Sequence, residues 1–390
     1  MKNICIDARY IRPQMDGIGR YLFNLIDQLS LIDINYNNYK YFILEIEKFS
    51  KDSILRGLDN RTNITFIKLP VQPQTIKNHF ISTYIKKYQI DLYHYGQFDL
   101  PWFLPAPTIT TIHDLNPQAF PNFFNSFSGK FKKQYAIFSN WIALYKSEYV
   151  IAISESTKND IISLYGEKYK NKIKVIYEGV NEKLLNLQQK EKYLNRLQDL
   201  KKINGLTKYL IYVGNNRPHK NLKNILLAFK KLKNEHNIDH KFLFIGKHYE
   251  EKYLDVKKFA KELNLQDDII LLSCNEDDLI SYYLGATCLV FCSLSEGFGL
   301  PILEAMALGI PVITSNLSSM KEISNGSAYL VNPFSIDDIT SGILKCIADD
   351  MYRNQIIIKG LNNARSFLWT NTAEETLKLY SSIIYKNKNK

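Results

Sequence analysis

Two successive series of short apolar runs, each separated by longer stretches of helical character, constrain the fold of this chain more than any other feature. The first series predicts strands at 3–7, 41–44, 64–68, 92–95, 108–112, 149–153 and 173–176. The second predicts strands at 209–213, 242–245, 269–272, 288–291, 312–314 and 329–331. Strands that alternate with helices form parallel, doubly wound sheets, so we predict an α/β chain with two Rossmann-like domains.

The length of the chain agrees with two domains. A single hydrophobic core stops growing at roughly 250 to 300 residues, and this chain has 390 residues. We expect a first domain at 1–182, a charged connection at 183–207, a second domain at 208–365, and a C-terminal helix with a polar tail at 366–390. The amphipathic pattern of Leu377, Tyr380 and Ile384 predicts that last helix.

Composition and charge limit the class of protein. There is no apolar N-terminal signal and no apolar run near the ~20 residues that span a bilayer, so we expect a cytoplasmic chain with at most peripheral membrane contact. The five cysteines lack metal-ligand spacing and are expected to be buried and reduced. The net charge of +11 suits nucleic acid, an anionic membrane or an anionic small substrate, or else reflects a lysine-rich surface.

The segment SEGFGLPILEAMALGIPVITSN, at 295–316, is the strongest candidate for a binding site. Pro301 suits the start of a helix, where the amides of Phe298, Gly299 and Leu300 would point towards a bound anion. Because parallel α/β domains bind nucleotides at such helix starts, the segment predicts a phosphate-binding edge.

Two glutamates flank this predicted helix start. A carboxylate accepts hydrogen bonds from neighbouring hydroxyls, so Glu296 and Glu304 suit a sugar and a ribose diol. The alternative is that Glu296 is an exposed loop charge and that Glu304 only complements the helix dipole. The two glycines and the proline between them favour the binding interpretation.

A second motif, YVGNNRPHKN at 212–221, leads from a predicted strand into a helix. Arg217 and Lys220 are its cationic side chains. The chain has no DxD triplet to hold a metal on a diphosphate, so these cations are expected to neutralise the leaving group without a metal or other cofactor. The alternative is a solvated loop with a helix-capping asparagine.

Two further candidates lie in the first half of the chain. Gly17 and Gly19 begin a helix after the first strand, although their spacing is not that of a dinucleotide-binding motif. His113 and Asp114 follow a predicted strand at the edge where parallel sheets bind ligands. By themselves, the two glycines suit a simple turn and helix start equally well, and a lone histidine at a strand end is more often structural than catalytic.

The string EGFGLPILE, continued by EAMALGIPVITSN, resembles the paired-glutamate motif of the family 4 retaining glycosyltransferases. The resemblance implies a GT-B fold, in which two Rossmann-like domains face each other across a cleft and a C-terminal helix crosses back to the first. It implies that Glu296 contacts the transferred sugar, Glu304 the ribose of the donor nucleotide, and Lys220 the donor phosphates. Arg217 matches less well, because Asn215 stands where the family often has its arginine.

The same resemblance gives roles to the first domain. It implies that Gly17, Gly19 and Arg20 approach the donor phosphates and the acceptor, and that His113 and Asp114 lie near the transferred sugar. His113 is not expected to act as a base, because retention in the family is ascribed to front-face attack guided by the donor phosphate. In YEGVN, Glu178 replaces the usual asparagine of the family's NGV element.

A stretch from Phe120 to Lys146 mixes aromatic and lysine residues without a clean single face. It suits either peripheral contact with an anionic membrane or an ordinary core helix whose lysines face the solvent.

Together these features predict a glycosyltransferase of surface polysaccharide synthesis that uses a nucleotide-sugar donor and a lipid-linked or glycan acceptor. The first expectation for the donor is GDP-mannose, from the likeness of RPHKN and EGFGLPILEAM to mannosyltransferases, and a UDP-sugar is the alternative. Two other classes remain open: a non-catalytic sugar-nucleotide sensor and a nucleic-acid-binding protein. No RNA-binding motif or basic arm supports the last of these, so no nucleic-acid partner is expected.

Overall fold

The chain forms two compact units. The structure is a computed structural model that describes residues 1–12, 16–33, 38–104, 106–115, 127–188, 190–248 and 253–386, with no side-chain description for 127–132. One unit comprises Met1–Gly179 together with Trp369–Lys390, and the other comprises Val180–Leu368.

The first unit is built on a seven-stranded parallel sheet in the order β3-β2-β1-β4-β5-β6-β7. Its strands are β1 (Lys2–Asp7), β2 (Tyr39–Ile46), β3 (Ile64–Leu69), β4 (Leu92–Tyr95), β5 (Thr108–Ile112), β6 (Tyr149–Ala152) and β7 (Ile173–Val175). The order reverses between β1 and β4, where Ile4 pairs with Leu92. This topological switch point is where open α/β sheets bind ligands.

Helices cover this sheet. They are Gly17–Asp33, Ile81–Ile85, Phe127–Lys146 and Glu155–Tyr165, with 3-10 turns at Glu47–Phe49, Ile54–Leu58, Ile76–Phe80, Lys86–Tyr88 and Glu167–Lys172. The helix Gly17–Asp33 buries Leu22, Leu25 and Leu29, which recur at helical spacing and face the sheet. Asp16 Oδ1 accepts a hydrogen bond of 3.0 Å from the Gly19 amide and so caps this helix.

The C-terminal helix Trp369–Lys386 packs against the first unit, as expected from the sequence. Its Trp369 ring lies 6.2 Å from the ring of Tyr21. Its Tyr380 hydroxyl lies 2.5 Å from Nδ1 of His94, which is fully buried on β4. From residue 387 onward, the predicted polar tail lies outside the described residues.

The second unit is built on a six-stranded parallel sheet in the order β10-β9-β8-β11-β12-β13. Its strands are β8 (Lys208–Val213), β9 (His240–Ile245), β10 (Ile269–Leu272), β11 (Leu289–Phe291), β12 (Val312–Ser315) and β13 (Tyr329–Val331). The order reverses between β8 and β11, where Ile211 pairs with Leu289.

Its helices are Glu182–Leu185, Lys190–Asn204, Leu222–His236, Val256–Glu262, Glu276–Gly285, Leu300–Ala307, Ser318–Ser324, Ile336–Ala348 and Asp350–Ala364, with a 3-10 turn at Pro218–Lys220. The charged segment predicted as an interdomain connection contains the first two of these. Lys190–Asn204 packs on Glu276–Gly285, because Leu197 is buried and Arg196 Nε lies 2.7 Å from Asp278 Oδ1.

The two sheets confirm the predicted α/β class with two Rossmann-like units. Every predicted strand is present, and each bound agrees within two residues. Within the described part of the chain, no helix is long and apolar enough to cross a membrane.

Candidate functional site

The loops that follow the neighbouring strands β8 and β9 approach each other closely through two glycines. Gly214 and Gly246 have φ values of 154° and 144°. A Cβ atom on Gly246 would lie 2.1 Å from the Gly214 carbonyl oxygen. Only glycine fits at position 246, so the backbones of the two loops lie in direct contact.

The loop after β8 presents Lys220 from a fixed backbone. Asn221 adopts the left-handed conformation with φ 61° and begins the helix Leu222–His236. Its side-chain amide donates hydrogen bonds of 3.0 Å to the Cys292 carbonyl and 2.7 Å to the Pro333 carbonyl. Asn221 thereby ties the Lys220 loop to the ends of β11 and β13.

Lys220 and Glu296 form an ion pair at this edge. Lys220 Nζ donates to Glu296 Oε1 at 2.7 Å and to Oε2 at 2.8 Å. Their side chains are 13% and 11% exposed. Burial is the largest single influence and would raise the pKa of Glu296. The charges of Lys220 and His219, with hydrogen bonds to the carboxylate, together outweigh it, so the pKa lies below its ordinary value. Glu296 is therefore ionised at neutral pH.

Two serines hold the loop that carries Glu296. Ser318 Oγ donates to the Glu296 carbonyl at 2.8 Å. Ser319 Oγ, fully buried, lies 2.9 Å from the same carbonyl and 2.8 Å from that of Phe298. Sequence reasoning missed Ser318, Ser319 and the bridging role of Asn221, although two serines shortly after a predicted strand end are a recognisable signal for loop-capping contacts.

The predicted helix start is present at Leu300. Gly299 precedes the helix Leu300–Ala307 with φ 114°, and Phe298 is buried with its ring centroid 6.0 Å from that of Phe367. Among the described residues, none accepts a hydrogen bond from the amides of Gly299 or Leu300. These amides and the helix dipole suit an anion.

Glu304 lies on the same helix but apart from the ion pair. It is half-buried, and its Oε2 accepts a hydrogen bond of 3.1 Å from the Tyr283 hydroxyl. The two glutamates thus have different partners: Glu296 is held by a cation and Glu304 by a neutral hydroxyl. Tyr283 is a further residue that the motif did not indicate.

Arg217 differs from Lys220 in its surroundings. Its side chain is exposed, and its backbone amide donates to Asn215 Oδ1 at 3.1 Å. Within the described chain, its guanidinium forms no ion pair. The structure brings Lys220 and Glu296 together and leaves Arg217 solvated, so its predicted role stays a prediction.

In the first unit, His113 lies just after β5 with both ring nitrogens engaged. Nδ1 is 3.2 Å from Glu178 Oε1, and Nε2 is 3.1 Å from the Gly96 carbonyl. The edge of the Tyr21 ring packs on the imidazole, with centroids 4.9 Å apart. Because a carbonyl only accepts, Nε2 donates to the Gly96 oxygen, and Nδ1 faces the Glu178 carboxylate.

Glu178, whose local contact the sequence left open, is thus the buried partner of His113, at 4% exposure. This arrangement leaves neither nitrogen of His113 free to take a proton from an acceptor. It favours a positioning role for His113, and it gives a physical reason for a carboxylate where an asparagine is usual in the family that the sequence resembles.

The remaining candidates of the first unit include Gly17 and Asp114. Gly17 begins the helix that carries Tyr21, and a Cβ there would meet no atom within 4 Å. Asp114 is half-buried and near Asp160, whose pKa is raised by burial and by the charge of Asp114. The preceding residues 13–15 of the glycine-rich loop lie outside the described residues.

Family models match both units. The model described as Glycosyltransferase Family 4 matches residues 57–184, and the model described as Glycosyl transferases group 1 matches residues 196–363.

Two curated relatives carry mannosyltransferase names. The chain is 26% identical over 388 residues to the O-antigen chain mannosyltransferase B of Escherichia coli, covering 95% of this chain and 97% of that protein. It is 23% identical over 299 residues to the serotype-specific mannosyltransferase WbdA of Escherichia coli, covering 74% of this chain and 35% of that protein.

A solved structure resembles the whole chain. The crystal structure of Anabaena HepE in complex with UDP and glucose has a TM-score of 0.73 at 18% identity, and it covers 98% of this chain and 100% of that chain. At this level of identity the likeness shows the fold, which is GT-B.

Proposed function

Because the chain belongs to the glycosyltransferases, with a family 4 region followed by a group 1 region, we propose that it is a retaining enzyme that transfers a hexose from a nucleotide sugar to a lipid-linked or glycan acceptor. The observation that carries this proposal is the Lys220–Glu296 ion pair beside the start of the helix Leu300–Ala307.

The donor diphosphate is assigned to the cationic part of this edge. Lys220 supplies a charge that can move from the Glu296 carboxylate to a phosphate oxygen, and the amides of Phe298, Gly299 and Leu300 supply dipoles at a helix start. Arg217, solvated and without an ion-pair partner among the described residues, would add a second charge. These groups would stabilise the leaving diphosphate without a metal.

The two glutamates are assigned to hydroxyl groups. Glu296, once released by Lys220, would accept hydrogen bonds from the transferred sugar. Glu304, which accepts a hydrogen bond of 3.1 Å from the Tyr283 hydroxyl, would accept from the ribose diol. The ion pair of Glu296 with Lys220 supports a separate role for Glu296, because a bound diphosphate would draw Lys220 away from it.

The reaction requires no protein nucleophile. The bond between the sugar C1 and the phosphate oxygen breaks, the acceptor oxygen bonds to C1 on the same face, and the acceptor proton passes to the departing phosphate. His113, paired with Glu178, would orient the sugar rather than take this proton. Gly17 and Gly19 would allow close approach of donor phosphates and acceptor, and Asp114 would lie near the sugar.

For the donor we propose GDP-mannose, and for the pathway the synthesis of a bacterial surface polysaccharide. The mannosyltransferase names of the relatives support this choice. A UDP-sugar is the second candidate, supported by the similarity to a structure that contains UDP and glucose. A lipid-linked acceptor would require peripheral contact with the inner face of the plasma membrane.

Incubation of the full chain with nucleotide sugars and a lipid-linked glycan acceptor tests the proposal. Thermal-shift screening against GDP, UDP and ADP identifies the base first, because a ligand at a hundred times its dissociation constant adds ~2.7 kcal/mol of stability. Transfer of radiolabelled mannose from GDP-mannose, with retained anomeric configuration by NMR, is the expected result.

Matched variants separate an enzyme from a sensor. Lys220→Met should abolish both nucleotide binding and transfer, whereas Lys223→Met, on the exposed side of the following helix, should leave both unchanged. Tight nucleotide-sugar binding without turnover on any acceptor would instead identify a sugar-nucleotide sensor. Stabilisation by UDP but not GDP would exclude GDP-mannose in favour of the second donor.

A further inference from the structure

A series of buried hydrogen bonds runs from the C-terminal helix towards His113. The Tyr380 hydroxyl lies 2.5 Å from His94 Nδ1, and His94 Nε2 lies 2.9 Å from Thr111 Oγ1. Thr111 Oγ1 also lies 3.0 Å from the Tyr21 hydroxyl. All four of these side chains are fully buried. The series therefore connects the C-terminal helix, through strands β4 and β5, to the first helix of the unit.

The last member of this series packs on His113. The rings of Tyr21 and His113 are nearly perpendicular, with centroids 4.9 Å apart and an interplanar angle of 84°. Thr111 is on β5, two residues before His113 in the sequence. Both connections restrict where the imidazole can lie, because a ring in a packed interior does not move without its neighbours.

His94 transmits the orientation of one hydroxyl group to the next. Burial, with a smaller effect of the nearby His113, lowers the pKa of His94 to about 3, so its imidazole is neutral at neutral pH. A neutral imidazole donates from one nitrogen and accepts at the other. If Nδ1 accepts from Tyr380, then Nε2 donates to Thr111, and the opposite tautomer reverses both bonds. The two hydroxyl groups are therefore ordered together.

The C-terminal helix also supports the other partner of His113. Glu178 Oε1 lies 3.2 Å from His113 Nδ1. Tyr177, the residue before Glu178, accepts at its carbonyl a hydrogen bond of 2.7 Å from Thr372 Oγ1. The helix thus reaches His113 by two routes, through the aromatic ring that packs on it and through the segment that carries its carboxylate partner.

The apolar side chains of this helix already hold it on the unit. Ile383 and Ile384 are buried at 3% and 5% exposure. A buried polar group that loses its partner costs free energy, so a polar network fixes one arrangement more strictly than apolar packing does. Such strictness is useful beside a side chain that has to meet a substrate.

We propose that the C-terminal helix positions His113 for sugar transfer, with Tyr380 and Thr372 as the positioning residues. The inference rests on the proposed function, in which His113 orients the sugar. Tyr380 and Thr372 are buried, at 0% and 2% exposure, and are assigned no contact with the donor. Loss of either hydroxyl leaves the affinity for the donor unchanged and slows transfer, because the imidazole is no longer held in one place.

Nuclear magnetic resonance tests the connection without an activity assay. The seven histidines of the full chain are labelled with carbon-13 at Cε1, and His94→Gln and His113→Gln identify two of the signals. Tyr380→Phe should shift both of these signals, since movement of the Tyr21 ring changes the ring current at His113. Tyr385→Phe, which changes an exposed tyrosine of the same helix, should shift neither.

Initial rates test the effect on transfer. Tyr380→Phe and Thr372→Val should each lower kcat about fivefold and change KM for the donor by less than about twofold, since a positioning contact acts on the reacting arrangement. Thr376→Val is the matched control for Thr372→Val, because Thr376 is also buried and its hydroxyl donates within the helix, to the Thr372 carbonyl. The control should change neither value.

A double-mutant cycle tests whether the hydrogen bonds act as one series. Tyr21→Phe removes the hydroxyl at the far end of the series. If both tyrosine hydroxyls act through Thr111 and His94, the variant that lacks both should be no slower than the slower single variant. Losses in kcat that multiply would show independent effects and would contradict the series.

Circular dichroism and melting show whether each variant folds. If Tyr380→Phe does not fold, Thr372→Val, measured in the same two ways, decides. The proposal is overturned if the His113 signal and kcat stay unchanged, or if the controls lose as much as the test variants. A full chain that transfers no sugar from any donor would instead overturn the proposed function. In that case a shift of the His113 signal would still support the connection to His113, and its absence would still overturn it.

Discussion

Lys220 Nζ contacts both carboxylate oxygens of Glu296, at 2.7 and 2.8 Å. The positive charge of Lys220 is therefore neutralised by a glutamate on a neighbouring loop. Under the proposed function, a bound diphosphate would draw Lys220 away from Glu296. The released carboxylate would then be available to sugar hydroxyls, and recognition of the two halves of the donor would be coupled.

Glu296→Gln should separate binding from turnover. The amide keeps the shape of the side chain but no longer competes with phosphate for Lys220. We expect the affinity for the free nucleoside diphosphate to hold or rise severalfold, and kcat to fall about 100-fold or more because a contact to the reacting sugar is lost. Calorimetry with GDP and UDP and initial-rate assays measure the two effects. Glu276→Gln, an exposed acid of the same unit, serves as control; parallel losses in binding and rate would argue against the coupling.

Lys220→Met should destabilise the second unit and reverse a pH effect. In the unmodified chain the pKa of Glu296 lies below its ordinary value of 4.5, so its contribution to stability is complete above about pH 4.5 and is lost as the pH falls below it. Without Lys220 the carboxylate is buried unpaired, its pKa rises, and stability instead falls as the pH rises through that range. We expect a loss of about 3 kcal/mol at pH 7.

The double variant Lys220→Met, Glu296→Gln distinguishes this cause from general damage to the loop. It removes both charges, so urea denaturation should show most of the lost stability recovered while transfer stays absent. A double variant as unstable as Lys220→Met alone would contradict the assigned electrostatic cause.

Ionisation of Asp99 should lower the free energy of unfolding of the first unit as the pH rises from 4 to 7. Its carboxylate is 1% exposed and accepts hydrogen bonds from the hydroxyls of Tyr10 and Tyr95. Burial raises its pKa from 3.8 to about 6, more than these hydrogen bonds lower it. The folded state therefore binds the proton more tightly, and about 3 kcal/mol of stability is lost between pH 4 and 6.

Asp99→Asn should remove that component, because the amide does not titrate. Melting temperatures at pH 4.5 and 7 compare this variant with the unmodified chain and with Asp52→Asn, an exposed acid of the same unit. An equal pH dependence in all three proteins would rule out the assignment.

Glu178→Gln should slow transfer without unfolding the first unit. The substitution leaves Nδ1 of His113 facing a neutral amide instead of a carboxylate, so the imidazole is held less firmly. We expect kcat/KM, from initial rates, to fall about tenfold with little change in melting temperature. Glu182→Gln, an exposed acid, is the control. An unchanged kcat/KM would rule out a positioning role for Glu178.

The fold was predictable because its signal is repetitive. The described residues form thirteen strands, most of them separated by helices, which leaves few arrangements of parallel sheets. Buried parallel strands also have continuous apolar sequences. The helix Lys190–Asn204 was harder to assign to a unit. It packs through Leu197 and a few ion pairs, and its sequence is typical of a charged connection. Local composition does not reveal which unit such a helix will join.

The candidate site was predictable in its local parts only. Gly299 and the helix start follow from the sequence, because glycine and proline have conformational consequences at their own positions. Lys220 and its partner Glu296 are 76 positions apart in the sequence, and His113 and its partner Glu178 are 65 positions apart. Such contacts depend on which strands become neighbours, which no local pattern encodes.

The return of the helix Trp369–Lys386 to the first unit has a consequence for synthesis on the ribosome. This helix follows the whole second unit along the chain, yet it covers the helix Gly17–Asp33 and supplies the partner of the buried His94. The first unit therefore emerges first but acquires its last helix after the second unit has been made. Newly made first units carry an uncovered apolar face during that interval, so translation that stops after Leu368 should yield chains that depend on chaperones or are degraded, even though the second unit is whole.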